Sequence, residues 1–286
     1  MKTTVRAYAK INIFLDILGK LDNGYHSLFM VMQSVGLYDL VTLEETEKNI
    51  ELTCSEPNIP CNEKNTAHKA ATVFFEKTGI EKGVKIHIEK QIPHEAGLAG
   101  GSADAAAVLV GLNKIFNTGL SVFDLCEMGL KVGSDVPFCI VGGMCLAQNT
   151  GGVLSPLRPI TDCTIVLAKP DKGVSTAKAY ADADNTYIYH PDCMHMLDAC
   201  EKGDFKAMCK YAGNVFEQVV EVPERVEIKR IMRENHCSLT QMSGSGPTVF
   251  GIFENGADAI NAAEKIKKIC KKVFVTKPVA FGTKTE

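Results

Sequence analysis

The chain has 286 residues, of which 45% are hydrophobic and 23% are charged, and its formal net charge is -3. This length allows one large or two ordinary domains, and the composition is ordinary for a soluble globular protein. The small negative charge argues against a nucleic-acid surface, and no apolar run approaches the roughly 18 residues that span a bilayer.

The N-terminal segment MKTTVRAYAK lacks the apolar core of a signal peptide, so we expect a cytoplasmic protein. Eleven cysteines are scattered along the chain without a Cys-x-x-Cys pair, which favours free thiols in a reducing compartment. His190, Cys193 and His195 in HPDCMH are metal-ligand residue types, but the segment has the character of a proline-containing loop. We therefore expect no metal site there.

The first predicted element is a strand from Val5 to Asp16, in which apolar residues alternate with a less apolar set. The alternation places Lys10 and Asn12 side by side on the less apolar face. A lysine on such a face is usually solvated, and the neighbouring asparagine favours a functional role only slightly. The segment GKLDNG predicts a hairpin turn, because Asn-Gly suits tight turns. The next predicted elements are strands at Ser27–Val35, Asp39–Glu44 and Ile50–Cys54 and a helix from Asn65 to Gly79.

The most distinctive stretch is a glycine loop that leads into a small-residue helix. A strand starting at Val84 is followed by Gly97, Gly100 and Gly101, and an alanine-rich helix is predicted from about Ser102. A helix N-terminus after such a loop offers free backbone N–H groups and a positive dipole end to an anion. The stretch therefore predicts a phosphate site.

Two familiar phosphate-binding motifs do not match this loop. A Walker loop requires a lysine after the last glycine, and none is present. The glycine spacing also differs from that of the dinucleotide fingerprint. A tight loop before a closely packed helix explains the same residues, so both interpretations stay open from this stretch alone.

A further helix is predicted from Ser121 to about Gly133, and Asp135 follows it in the segment GSDVPF. An aspartate between a helix end and Pro137 is most often a cap or a turn former. The segment from Gly142 to Pro159 is rich in glycine and proline, and we expect it to end the first domain.

The remaining elements follow the order of a ferredoxin-like domain. The sequence predicts a strand at Thr164–Ala168, helices up to Asn235, strands at Ser238–Met242 and Thr248–Phe253, a helix at Ala257–Lys271 and a strand at Val273–Thr276. The loop SGSGP lies between the second and third of these strands. By itself it predicts a hairpin, but beside the first glycine loop it would supply more N–H donors to a phosphate.

Three stretches now stand together: AKINIFLDILGKLDNGYH at the start, PHEAGLAGGSADAA in the middle and SGSGP near the end. In this combination the sequence resembles the GHMP small-molecule kinase superfamily over essentially the whole chain. The last two motifs are shared across the superfamily. The first one, with its Lys-Ile-Asn and Gly-Tyr-His, narrows the match to the branch that acts on a cytidine diphosphate conjugate.

The resemblance implies an α+β, two-domain GHMP kinase fold. Its N-terminal domain, residues 1–156, would be ribosomal-protein-like and would carry the ATP phosphate loop, and its C-terminal domain, residues 157–286, would be ferredoxin-like. The implied reaction is ATP-dependent phosphorylation of the 2-hydroxyl of 4-diphosphocytidyl-2-C-methyl-D-erythritol, a step of the non-mevalonate route to isoprenoids. ATP would be the co-substrate and would carry Mg²⁺.

The resemblance also implies roles for individual positions. Lys10 and Asp135 match the catalytic pair. The implied substrate-binding residues are Asn12, the cytidine-binding pair Tyr25 and His26, and Tyr180 as a second stacking face. The implied ATP-binding residues are Pro93, His94, Glu95, Ala96, Gly97, Leu98, Ala99, Gly100, Gly101, Ser102 and Ala103. The implied second loop near the phosphates contains Ser243, Gly244, Ser245 and Gly246.

Two departures from the family pattern lie in the phosphate loop. His94, Glu95 and Ala96 replace a more glycine-rich start, and Ala103 stands where serine is common. Neither change removes a catalytic group, so we expect altered nucleotide affinity at most.

Two alternatives remain at this point. The chain is either a GHMP kinase for another small alcohol or a nucleotide-binding regulator without catalysis, although Lys10 and Asp135 argue against the second. We expect a small-molecule substrate as its partner, no nucleic acid, no membrane, and a monomer or a homodimer.

Overall fold

The computed structural model describes residues 1–286. The first part of the chain contains β1 (Lys2–Lys20), β2 (His26–Thr46), β3 (Ile50–Cys54), α1 (Thr66–Thr78), β4 (Gly83–Glu89), α2 (Gly100–Ile115), α3 (Val122–Val132), α4 (Val136–Val141), β5 (Met144–Asn149) and β6 (Val153–Leu157). The second part contains β7 (Thr164–Lys169), α5 (Thr176–Asp184), α6 (Cys193–Lys202), α7 (Phe205–Tyr211), β8 (Gly213–Asn214), a 3-10 helix (Val215–Gln218), α8 (Arg225–Glu234), β9 (Leu239–Met242), β10 (Val249–Phe253), α9 (Gly256–Ile266), β11 (Lys272–Thr276) and β12 (Thr283–Thr285).

The first sheet is organised around the long antiparallel hairpin of β1 and β2. Its strand order is β12-β1-β2-β4-β3, and β5 extends it by pairing with β2. The two hairpin strands are joined by the residues between Lys20 and His26, which confirms the turn predicted from GKLDNG. The sequence was wrong to divide β2 into two strands. The pairing of Tyr8 with Tyr38 and of Ala9 with Val35 shows a bulge that bends one continuous strand.

Strand β1 is buried on both faces, which corrects the prediction of one less apolar, half-solvated face. Every residue from Ala7 to Ile17 is buried. Helix α2 packs near the strand, and the amide of Gln241 donates to the backbone oxygens of Asn12 and Ile13. The polar residues of this strand are therefore enclosed by protein rather than by water.

The second sheet confirms the ferredoxin-like prediction. Its four strands follow the order β11-β7-β10-β9, and every neighbouring pair is antiparallel. Helices α8 and α9 cover one face through a small apolar cluster that includes Ile228, Met232, Ala259 and Ile266. The larger apolar core spans the first sheet with α1 and α2 and continues into the helices α5 to α7.

Other boundaries also differ from the sequence predictions. The segment expected to end the first domain contains the β5–β6 hairpin, which pairs with β2. The supposed loop HPDCMH contains the start of α6, where the side chain of Asp192 caps the helix. The final strand β12 returns to pair with β1. The division at residue 156 stays a prediction.

All eleven cysteines are free, and Cys61 alone is exposed. None of the helices combines the length and the apolar character needed to cross a membrane.

Candidate active site

Lys10 is a buried cation at the centre of the candidate site. It lies in β1 and is 4% exposed. Its Nζ donates to Asn12 Oδ1 at 2.6 Å and lies 3.6 Å from Asp135 Oδ2. A buried ammonium needs such partners, because water no longer compensates its charge. The structure therefore brings together the two residues that the sequence predicted as a catalytic pair.

Asp135 occupies the N-cap position of α4, but its side chain makes no capping hydrogen bond. The interpretation of this residue as a side-chain cap is therefore wrong. The short connection after Gly133 turns the carboxylate towards Lys10, and the Asp135 side chain remains 29% exposed. It is an accessible carboxylate beside a buried cation.

Asn12 is fully buried, and only one of the two polar atoms of its side-chain amide has a hydrogen-bond partner. Its Oδ1 accepts from Lys10, whereas its Nδ2 has no hydrogen-bond partner. A buried N–H donor without a partner is costly, so such a group is often reserved for a ligand. Asn12 lines the same cavity as Lys10 and Asp135.

The glycine loop connects β4 to α2 and is shaped by residues in the left-handed backbone region. Glu95, Gly97 and Ala99 all have positive φ, and Ala99 occupies the N-cap position of α2. At Gly97 an added Cβ would lie 2.1 Å from the backbone oxygen of Ser243, so the close approach of the two loops requires glycine.

Helix α2 begins at Gly100, slightly earlier than the predicted Ser102, and no side chain caps it. The N–H groups of its first turn have no partner within the helix. They lie beside the cavity, which Gly100, Gly101 and Ser102 line. This is the helix N-terminus that the sequence predicted as an anion site, and its capacity to bind phosphate follows from the same physical argument.

The second glycine loop is fixed between the first loop and β1. Ser243 Oγ donates to the Gly97 oxygen at 2.9 Å and accepts from the Asn12 N–H at 3.2 Å. The amide of Asn214 donates to the backbone oxygens of Met242 and Gly244, each at 2.8 Å. The two loops predicted to act together are thus in direct contact through Ser243, and Asn214, which no sequence motif pointed to, fixes the second loop.

A buried charge cluster supports the base of the first loop, and the sequence analysis also missed it. Lys90 Nζ lies 2.5 Å from Asp39 Oδ2 and 2.7 Å from Asp104 Oδ2. The other oxygen of Asp39 accepts from the backbone N–H groups of Gln91 and Ile92. The cluster therefore ties β2, the end of β4 and α2 together. The sequence feature that could have indicated this cluster is the presence of charged residues within otherwise apolar stretches.

Burial and the neighbouring Asp39 raise the pKa of Asp104 to about 8, although Lys90 acts in the opposite direction. The pKa of Lys90 is also raised: burial works against its charge, but Asp104 and Asp39 outweigh that effect. Near neutral pH Lys90 is therefore charged and Asp104 holds a proton for most of the time.

His26 and Tyr180, both predicted to bind substrate, are in contact with each other. Their rings stack with centroids 4.6 Å apart and an interplanar angle of 18°. Tyr180 therefore meets His26 in a stacked arrangement and Phe216 edge-on. Tyr25 is different, because it is 61% exposed and its ring is available to a ligand.

Most of these groups border one cavity of about 870 Å³, whereas the predicted site residues Ser243 and Gly246 are buried and do not line it. The predicted site residues that line it are Lys10, Asn12, Tyr25, His26, Asp135, Tyr180, Gly244, Ser245, Pro93 to Gly97 and Ala99 to Ser102. The cavity also reaches Ile59, Asn65 and Thr66. Leu98 and Ala103 are buried behind the loop instead, and their contribution is to packing.

The three residues of metal-ligand type in HPDCMH contact side chains nearby. His190 Nδ1 lies 2.8 Å from Asp16 Oδ1, and Cys193 Sγ lies 3.6 Å from the other Asp16 oxygen. His195 Nδ1 contacts Asp192, the cap of its own helix. These contacts connect α6 and the preceding segment to β1.

Comparison with known proteins agrees with this architecture. The model of the GHMP kinase N-terminal domain matches residues 65–143, and that of the GHMP kinase C-terminal domain matches residues 196–272. A 4-diphosphocytidyl-2-C-methyl-D-erythritol kinase of Clostridium acetobutylicum is 44% identical over 96% of this chain and 99% of its own. The protein of the same name from Caldicellulosiruptor bescii is 45% identical, over 95% of this chain and 96% of its own.

Solved structures place the chain in the same group. A 4-(cytidine 5'-diphospho)-2C-methyl-D-erythritol kinase superposes with a TM-score of 0.76 at 27% identity, covering 97% of this chain and 99% of that one. A homoserine kinase from Cytophaga hutchinsonii has a TM-score of 0.81 at 18% identity, covering 100% of this chain and 97% of that one, and it supports the fold alone. The chain belongs to the GHMP kinase family, within its 4-diphosphocytidyl-2-C-methyl-D-erythritol kinase branch.

Proposed function

We propose that the protein transfers the γ-phosphoryl group of ATP to the 2-hydroxyl of 4-diphosphocytidyl-2-C-methyl-D-erythritol, in the non-mevalonate route to isoprenoid precursors. The observation that carries this proposal is the contact between buried Lys10 and Asp135 in a cavity shared by the glycine loop and by Tyr25 and His26. One cavity thus holds groups suited to binding a phosphate, a reacting hydroxyl and a nucleobase. The names of the relatives at 44% and 45% identity support the same substrate.

The triphosphate binds at the start of α2. The first-turn N–H groups of that helix and its dipole stabilise negative charge, and Ser245 and Gly244 of the second loop lie on the same cavity. Pro93 to Ala103 supply the loop, with Leu98 and Ala103 fixing its shape from behind. No lysine follows the glycines, so much of the neutralisation falls to backbone groups and to the metal that accompanies the nucleotide.

Mg²⁺ fits this donor set as an ion carried by ATP. Magnesium is usually held by one or two carboxylates together with substrate phosphates and water. Asp135 is an accessible carboxylate on the cavity, whereas Asp39 and Asp104 are held by Lys90. When bound, the ion would neutralise charge on the phosphates.

Asp135 and Lys10 act on the hydroxyl that receives the phosphate. The carboxylate accepts a hydrogen bond from the hydroxyl and orients it, and it takes the proton as transfer proceeds. Phosphoryl transfer depends more on alignment than on early deprotonation, so a weak base is sufficient. The Lys10 ammonium lies beside the carboxylate and offsets negative charge on the transferring group. The free Nδ2 of Asn12 donates to a substrate oxygen.

The cytidine group binds at Tyr25 and His26. The exposed Tyr25 ring stacks on the pyrimidine, and His26 lines the same cavity. That Tyr180 offers a second stacking face stays a prediction, because its ring already contacts His26.

A coupled assay of ADP release tests the proposal. The purified protein, ATP and Mg²⁺ are combined in turn with the cytidyl substrate, mevalonate and homoserine. Of the three alcohols, we expect only the cytidyl substrate to cause rapid ADP release. Release with another alcohol would identify a GHMP kinase of different specificity, and nucleotide binding without release would identify a regulator. The monomer or homodimer state, the cytoplasmic location and the boundary at residue 156 stay predictions.

A further inference from the structure

The chain that enters the first glycine loop donates three hydrogen bonds to one carboxylate. Asp39 lies in β2 and is 0% exposed, and its partners are three consecutive residues that follow β4. Its Oδ1 accepts from the backbone N–H groups of Gln91 at 2.6 Å and Ile92 at 2.8 Å, and its Oδ2 accepts from Lys90 Nζ at 2.5 Å. Both oxygens of this carboxylate therefore fix the path of the chain into the loop.

The same lysine also contacts the helix at the other end of the loop. Lys90 Nζ donates to Asp104 Oδ2 at 2.7 Å, and Asp104 lies in the second turn of α2. A further contact comes from Thr66 Oγ1, which donates to the Gly101 oxygen at 2.7 Å. The first residues of the loop and the start of α2 are thus joined beneath the loop, so its two ends are held at a set separation.

We propose that Asp39 is a positioning residue for ATP, which holds the start of the phosphate loop in place before the nucleotide binds. This inference rests on the proposed function, since it assumes that the phosphates bind at the start of α2. Asp39 is fully buried and does not line the cavity, so it does not touch the nucleotide itself. Its effect on ATP passes through the backbone of Gln91 and Ile92 and through Lys90.

The position of this backbone matters because N–H groups of the chain are the phosphate donors. A long side chain can rotate to follow its ligand, whereas a backbone N–H moves only with the chain. A misplacement of about 1 Å can reduce catalysis by about 100-fold. The middle of the loop has separate contacts, since the Gly97 oxygen accepts from Ser243 and the Leu98 oxygen accepts from the Lys10 N–H. Asp39 fixes the entrance of the loop.

A purely structural role makes a different prediction. If Asp39 only stabilised the packing of β2 against β4, its loss would lower the stability of the fold and weaken the binding of both substrates alike. If it positions the phosphate loop, its loss weakens the nucleotide much more than the cytidyl substrate, which binds at Tyr25 and His26. The ratio of the two dissociation constants separates the two cases.

The experiment compares the wild-type protein with Asp39→Asn, using calorimetry with ADP and Mg²⁺ and, separately, with the cytidyl substrate in the absence of ATP. Asparagine keeps the shape of the side chain, but its amide places an NH₂ donor against either the Lys90 ammonium or the two backbone N–H groups. We expect the dissociation constant for ADP to rise about tenfold to a hundredfold. The dissociation constant for the cytidyl substrate should stay close to its wild-type value.

The matched control is Asp16→Asn. Asp16 is also a buried carboxylate in the first sheet, is 1% exposed, and accepts from the backbone N–H of Ile17 at 2.8 Å. Its other contact, with His190, connects β1 to the segment before α6 rather than to the glycine loop. We expect Asp16→Asn to lower stability without changing the ratio of the two dissociation constants. Denaturant unfolding of all three proteins measures the stability.

Each outcome has a distinct meaning. An unchanged affinity for ADP in Asp39→Asn overturns the role of Asp39 and leaves the proposed kinase function intact. Equal losses of affinity for ADP and for the cytidyl substrate also overturn that role, because they show a structural contribution alone. A wild type that does not bind ADP overturns the proposed function together with the inference.

If Asp39→Asn fails to fold, hydrogen exchange of the wild-type protein decides. A loop entrance that is held in advance predicts slow exchange of the Gln91 and Ile92 amides in the ligand-free protein, with little change when ADP binds. Fast exchange of these amides without ligand, followed by protection on addition of ADP, would mean that the nucleotide itself orders the entrance. That result contradicts the inference.

Discussion

Lys10 illustrates how burial makes one lysine chemically useful. In water an ion pair 3.6 Å long contributes little, but here the Lys10 side chain is 5% exposed and its electrostatic interactions are poorly screened. The same burial restricts its amine to one place, between Asn12 and Asp135. Because the Lys10 amine is already in place, it does not have to move when charge develops during the reaction.

Replacing Asp135 by asparagine tests the catalytic pair. The change keeps the shape of the side chain but removes the group that orients the hydroxyl and accepts its proton. We expect kcat to fall by roughly 10²–10⁴-fold. Steady-state kinetics provides the measurement, and Asp198→Asn, which changes an exposed carboxylate on α6, is the control. A rate within a few-fold of the wild type would contradict the assignment.

Replacing Tyr25 by alanine tests base stacking. Stacking on an aromatic ring contributes about 1–3 kcal/mol per base, so we expect the KM for the cytidyl substrate to rise roughly tenfold to a hundredfold. The KM for ATP and the melting temperature should stay close to the wild-type values, because the Tyr25 ring is exposed. Tyr187→Ala removes a tyrosine that is still more exposed, at 80%, and should change neither KM. A loss of folding instead would make Tyr25 a structural residue.

At the scale of single residues the sequence predicted the reacting groups but not their supports. Lys10 lies in the first of the three motifs, and the role of Asp135 in the segment GSDVPF follows from the family resemblance. Lys90 and Asp39 lie outside the three motifs, and Asp104 lies inside the middle one but had no role assigned to it, while predicted turns or loops separate the three residues along the chain. Their contact depends on how three elements pack, and local patterns carry no information about that packing.

At the scale of elements, the junction of β4, the glycine loop and α2 determines the site. Gly100 is the first residue of α2, and an added Cβ would lie 3.0 Å from the Ile92 side chain and 3.3 Å from Lys90 Nζ. A larger side chain there would displace the start of the helix or the charge cluster below it. The position of the helix N-terminus is therefore coupled to the cluster.

The variant Gly100→Val should raise the KM for ATP at least about tenfold, because the first-turn N–H groups would no longer meet the phosphates. The KM for the cytidyl substrate should change less. Gly256→Val is a matched control, since Gly256 also begins a helix but an added Cβ would make only an ordinary contact at 3.4 Å. Unchanged ATP kinetics in Gly100→Val would mean that the loop is only structural.

The charge cluster predicts a pH dependence of stability. The folded-state pKa of Asp104 is raised to about 8 from an ordinary value of 3.8, mainly by burial, so the folded protein holds a proton that the unfolded chain releases. The stability that this group contributes is therefore full at acid pH and is lost as the pH rises through about 8. Asp104→Asn should remove this loss.

Denaturant unfolding between about pH 5 and pH 9 measures the effect. We expect the wild type to lose stability relative to Asp104→Asn as the pH rises across that range. Asp258→Asn, near the start of α9, has no ion pair to lose and should follow the wild-type curve. Parallel curves for the wild type and Asp104→Asn would show that Asp104 is ionised throughout.

Elements with strong local signals were predicted well from the sequence. The hairpin turn and the starts of α1 at Asn65 and of α3 at Ser121 lie where their sequence patterns predicted them, and the structure adds a capping box at Ser121. The bend in β2 was mistaken for a break, because a bulge and a true turn both interrupt the alternation. Burial of both faces of β1 was missed because its polar residues have partners contributed by distant segments.

At the scale of the whole molecule, the cavity exists because the second part of the chain closes over β1. Ser243 contacts both Gly97 and Asn12, and Asp184 contacts the hairpin turn. The last strand then returns to β1. The ferredoxin-like strand order was predictable from the pattern of elements. The return of the last strand to β1 was not predictable, because β12 is three residues long and carries no apolar pattern.

The most direct test of the central claim is to identify the product. Phosphorus NMR can follow a mixture of the protein, ATP, Mg²⁺ and 4-diphosphocytidyl-2-C-methyl-D-erythritol. We expect a new phosphomonoester signal that grows in step with ADP while the diphosphate signals of the substrate persist, and a far slower appearance of that signal with Asp135→Asn. An ADP signal without a new phosphomonoester, or equal rates in the two proteins, would contradict the account.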